Sequence, residues 1–60
     1  EFRQIQTRFG SLTIKLKILD GQIIQSVPEY DDCARLAKEN NVSLAEIYQA
    51  AQQIFEGEQK

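Results

Sequence analysis

Histidine is missing from these 60 residues and cysteine occurs once, at Cys33. Without an imidazole to draw off its proton, Cys33 has no partner for nucleophilic chemistry, and a single cysteine closes no internal disulfide. The staples that usually hold very small domains are therefore absent, while a core of this length supplies no more than about 3–5 kcal/mol. Packing against a sister domain or another subunit is the expected substitute. No apolar run approaches the ~20 residues of a membrane span, and no charged-then-apolar signal pattern occurs. Basic residues are not in excess: the net charge of −2 argues against general affinity for nucleic acid or anionic membranes. The initiating methionine is also lacking, since the chain opens on Glu1 and runs directly into strand-like sequence. We read it as a C-terminal fragment of a longer protein, and its unpaired cysteine as fitting a reducing cytoplasm.

What is present organises around Pro28-Glu29-Tyr30-Asp31-Asp32-Cys33, where apolar alternation stops and helical spacing starts. Before it, Phe2–Phe9, Leu12–Leu19 and Gln22–Val27 read as strands, with Leu12, Ile14, Leu16 and Ile18 on one face and Thr13, Lys15 and Lys17 on the other. Gly10-Ser11 and Asp20-Gly21 are two-residue turn signals. Counting outward from them pairs Phe9 with Leu12, Ile5 with Leu16, Ile18 with Ile23 and Ile14 with Val27. One face of this meander is then Ile5, Phe9, Leu12, Ile14, Leu16, Ile18, Ile23 and Val27, which helices must cover.

Pro28 cannot donate to a ladder and suits a helix start. A helix over Glu29–Asn40 follows, with Cys33, Leu36 and Ala37 inward, Tyr30 at the edge and an Asp31–Arg35 pair on the surface. Asn40-Asn41 is a stop signal, and Ser43-Leu44-Ala45-Glu46 has capping-box spacing. A second helix then runs from Leu44 to about Phe55, its apolar face formed by Leu44, Ile47, Tyr48, Ala51, Ile54 and Phe55. The expected fold class is α+β: a three-stranded antiparallel meander followed by two helices on one sheet face, in the order βββαα. It forms one domain, with the meander over 1–28, the helical pair over 29–56 and a polar tail over 57–60.

Three groups of residues carry chemistry. Lys15 and Lys17 share the outer sheet face with Arg8, Gln4, Gln6 and Ser26, so that three cations collect there without an acidic partner. The face is either solvated or binds a phosphate-bearing ligand. Glu29, Asp31 and Asp32 form an acidic cluster. The positive end of a helix dipole explains that placement, and oxygen ligation of Mg²⁺ or Mn²⁺ is the alternative. Phe2, Leu19 and Ile24 fall together on the outer face, an apolar cluster expected to meet a partner. Cys33 reads as a buried structural cysteine, and Tyr30 and Tyr48 as core-edge residues with wet hydroxyls. The two-helix unit is not a DNA reader, because Leu44–Phe55 carries no lysine or arginine.

Four stretches together resemble the LarC family of nickel insertion proteins: Thr7-Arg8-Phe9-Gly10, the strand with Lys15 and Lys17, the segment Val27–Cys33, and Val42-Ser43-Leu44-Ala45-Glu46-Ile47-Tyr48-Gln49-Ala50-Ala51. The resemblance covers nearly the whole chain and falls on the family's extreme C-terminal part. It implies a cytoplasmic, homo-oligomeric metallochelatase of the lyase class that is several times longer than these 60 residues. Such a protein inserts nickel into pyridinium-3,5-bisthiocarboxylic acid mononucleotide, giving the nickel-pincer cofactor of lactate racemase. It further implies dependence on CTP with Mn²⁺ or Mg²⁺, and a C-terminal domain that binds CTP and oligomerises. On that footing Arg8, Lys15 and Lys17 are expected at phosphate, Glu29, Asp31 and Asp32 at the divalent cation, and Phe2, Leu19 and Ile24 against upstream domains or a second copy. Nickel itself is not expected on this histidine-free chain. The alternative is a ligand-free oligomerisation or docking module.

Overall fold

A computed structural model describes residues 1–58; the last two residues of the expected polar tail lie outside the described residues. Strands β1 (Phe2–Thr7), β2 (Gly10–Leu19) and β3 (Gln22–Pro28) form one antiparallel sheet in that order, followed by α1 (Tyr30–Asn40) and α2 (Leu44–Glu58). The βββαα order is the expected one. Gly57 and Glu58 continue α2 beyond the expected end near Phe55.

The first turn differs from expectation. Arg8 and Phe9 form the connection, and Thr7 pairs with Gly10, so Ile5 faces Leu12 where Leu16 was expected. The cause is local chemistry: the Thr7 hydroxyl accepts the Phe9 amide at 3.0 Å and donates to the Gly10 carbonyl at 2.8 Å, closing the turn two residues early. Gly10 is thereby moved out of the turn's centre to a φ of +132°, where a Cβ would stand 2.8 Å from Leu36 Cδ2. The second turn is as expected: Asp20 and Gly21 both have positive φ, 53° and 76°, as a type I′ hairpin requires.

The register of β3 shifts between Lys17 and Ile18: Ile18 still faces Ile23, but Lys17 faces Gln25, leaving Ile24 as the extra residue of a β-bulge. This one-residue slip turns over the rest of the strand. Ser26, expected outside, lies opposite Leu16, and Val27, expected inside, lies opposite Lys15 on the outer face.

The core sits between the sheet and both helices. Ile5, Leu12, Ile14, Leu16, Cys33, Leu36, Ile47, Ala51 and Phe55 are buried, with Phe9, Ile23, Ala37, Val42, Leu44 and Tyr48 packed against them. Ile54, assigned to the apolar face of α2, is exposed instead, Tyr30 at the edge of α1 is exposed as well, and Ala50 is buried. Asn41 ends α1 in the left-handed conformation, with its own amide bonded to Lys38 O and that of Val42 to Ala37 O, a Schellman stop. The Ser43 hydroxyl accepts the Glu46 amide at 3.1 Å and starts α2.

Candidate functional site

The outer face of the sheet is built by strand alternation and by register. Phe2, Lys15 and Val27 stand in one row across the three strands, and Lys17 stands beside Gln25 in the next. Lys15, Leu16, Lys17, Gln25 and Val27 line a shallow depression of about 410 Å³. The two lysines are two residues apart on one strand face, hence about 7 Å apart along it. Both are exposed, and among the described residues neither forms an ion pair. Two ammonium groups at that spacing suit adjacent phosphates of a polyphosphate, with the apolar side chain of Val27 beside them.

Arg8 is not brought to this pair. It lies at the first turn with its guanidinium 4.6 Å from the Phe9 ring centroid, level with Gly10, which is roughly 17 Å along β2 from Lys15. The three residues expected at a partner surface are all exposed, but the shifted first hairpin sets Phe2 opposite Lys15 rather than beside Leu19. Leu19 and Ile24 remain together near the second turn.

The carboxylates at the start of α1 do separate work. Glu29 holds the N-cap position without a side-chain cap bond, and Asp31 is exposed. Asp32 turns back to the sheet and accepts the Thr13 amide at 2.8 Å. β3 ends opposite Ile14, and the Glu29 amide takes the Thr13 carbonyl, so the Thr13 N–H would otherwise face no strand. Arg35 and Asn40 continue the pattern, donating to the Ser11 carbonyl at 3.3 Å and the Phe9 carbonyl at 3.0 Å. One face of α1 thus substitutes for the missing length of β3 along the β2 edge. Arg35 pairs with Glu39 at 3.3 Å, not with Asp31 as its spacing also allowed. Among the described residues no group of three or more histidine, cysteine, aspartate or glutamate side chains is placed to hold a metal ion.

Cys33 is fully buried, and burial first, then the negative charge of Asp32, pushes its thiol pKa above the ordinary 9.0. A thiol held in that state is a poor nucleophile. A second concavity lies on the core side, where Ser26, Pro28, Tyr48 and Gln52 surround a floor of Ile14 and Phe55 in a cleft of about 200 Å³. Sequence reasoning placed neither Ser26 nor Val27 correctly around these hollows. The available signal was Ile23-Ile24, two adjacent isoleucines that break the alternation where the bulge sits.

Residues 1–48 match the model of the nickel insertion protein family. The chain belongs to that family. It is 38% identical over 50 residues to the pyridinium-3,5-bisthiocarboxylic acid mononucleotide nickel insertion protein of Clostridium acetobutylicum, covering 83% of this chain and 12% of that protein. The corresponding protein of Clostridium kluyveri is 35% identical over 48 residues, 80% of this chain and again 12% of the relative. The chain therefore spans about an eighth of these relatives. The fold matches the apo structure of LarC2, the C-terminal domain of a cyclometallase involved in the synthesis of the NPN cofactor of lactate racemase. That match has a TM-score of 0.84 at 28% identity, over 93% of this chain and 38% of the other. No helix among the described residues is long and apolar enough to cross a membrane.

Proposed function

We propose that this chain is part of the C-terminal module of a CTP-dependent nickel insertion protein that makes the nickel-pincer nucleotide cofactor of lactate racemase. Within that protein it serves nucleotide binding. The observation that carries the reading is the agreement of family and fold over nearly the same residues, 1–48 by sequence and 93% of the chain by structure. Nickel and the pincer nucleotide are substrates here, and among the described residues no group of three or more histidine, cysteine, aspartate or glutamate side chains is placed to hold a metal ion.

Lys15 and Lys17 hold the nucleotide's phosphates by charge and by N–H donation, the chemistry for which a pair of exposed ammonium groups is suited. The start of α1 does not fit a resident divalent cation, because Asp32 is occupied by the Thr13 amide and no metal-holding trio exists among the described residues.

Calorimetric titration of the full-length protein with CTP and Mn²⁺ tests the assignment. Lys15→Ala with Lys17→Ala is expected to weaken binding by about tenfold or more, the effect of losing one or two charge-assisted hydrogen bonds. Arg8→Ala, at the far end of the strand, is expected to leave affinity at the parent level. An unchanged affinity in the double variant removes the phosphate role.

A further inference from the structure

Beyond Leu16 the sheet narrows to two strands, because β1 begins opposite Lys15 and only the Glu1 backbone reaches Leu16. The β2–β3 ribbon that continues to the Asp20-Gly21 turn is apolar on both sides. Ile18, on the face that the helices cover further down, is 41% exposed; Leu19, on the opposite face, is 59% exposed, and Ile24 at the bulge 52%. A two-stranded ribbon is marginal in water without a third element against it, and soluble proteins rarely leave contiguous apolar surface open. Of the usual protections of a free edge this stretch has only the bulge at Ile24: from Ile18 to Gln25 the one charged residue is Asp20 in the turn, with no lysine and no proline.

The size of the matching domain identifies the occupant. The aligned part, 93% of this chain, accounts for 38% of that C-terminal domain, so the larger share of that domain lies elsewhere in its own polypeptide. A tethered segment has an effective concentration in the millimolar range, which a free second copy does not reach at ordinary protein concentration. An isologous contact between two copies also lays one face against its equivalent, whereas here both faces need cover. We propose that the β2–β3 arm is clasped on both faces by the remainder of the C-terminal domain of the same polypeptide.

The test uses the full-length protein carrying Ile18→Cys or Ile24→Cys, with Gln53→Cys on the exposed side of α2 as the control, and follows thiol alkylation by peptide mapping. Both arm positions are expected to label about tenfold or more slowly than the control, since labelling must wait for local opening, and at a rate independent of protein concentration. Labelling of either position at the control rate overturns the proposal. So does protection that disappears on dilution, which would identify a second copy as the cover. Hydrogen exchange of the Gln22–Gln25 amides in the unsubstituted protein gives the same decision without relying on a variant: slow exchange at every concentration supports the clasp, and fast exchange refutes it.

Discussion

Asp32 stands at the start of α1 with its carboxylate on the Thr13 amide at 2.8 Å. Its neighbours in sequence made it a candidate cation ligand, and only the end of β3 one residue pair earlier explains why the side chain is needed elsewhere. Asp32→Ala leaves the half-buried Thr13 N–H without an acceptor, which costs about 1–3 kcal/mol. Asp32→Asn keeps an amide oxygen in the same place and is expected to cost clearly less in urea unfolding. Equal losses in the two variants would mean that the charge, not the acceptor, is what matters. Cys33, the next residue, supplies a second test at this scale. Its pKa is raised by burial and then by the Asp32 charge, so above the unfolded value the unfolded chain releases a proton that the fold retains. The contribution of Cys33 is complete below that value and is lost as pH rises from it through the raised value of the folded state. The difference in stability between the parent and Cys33→Ala should therefore be flat at neutral pH and shrink once the pH passes the ordinary thiol value of about 8.5.

At the scale of elements, the two hairpins separate what alternation can reveal from what it cannot. The first hairpin is offset by four residues from the expected pairing, an even number, so every side chain keeps its face and Ile5, Leu12, Ile14 and Leu16 are buried as foreseen. Only the cross-strand neighbours change, and with them the company of Phe2. In the second hairpin a slip of one residue exchanges Ser26 and Val27 between faces, because the side-chain period is two. Gly10 misled for a related reason. It reads as a turn residue, but its lack of a side chain serves the approach of Leu36 as well as its backbone angle. Gly10→Ala is expected to cost about 1–3 kcal/mol. For a domain of this size that lowers the melting temperature by several degrees, at about 4–8 °C per kcal/mol. Gly21→Ala, also at positive φ but with nothing within 4 Å of an added Cβ, should cost less. Equal losses would show that the Leu36 contact is relieved without cost.

For the whole molecule, the class and order of elements were legible because each rests on short-range signals: alternation, Asp20-Gly21, Pro28, Asn41 and Ser43. The candidate site was legible only as two lysines on one strand. Its surroundings depend on pairings between residues eight or more apart, set by a threonine hydroxyl and a bulge. The same holds for α1, whose polar face looked like solvent-facing surface and is in fact fastened along β2 by Asp32, Arg35 and Asn40. That fastening gives the sheet a direction of growth. The Ser11–Thr13 stretch of β2 is sealed by α1 and cannot template a further strand, while β3, β1 and the Lys17–Leu19 end of β2 keep their outer margins open. Any added strand would have to enter from those margins, so the helix that completes the core also dictates how a larger sheet could be assembled around it.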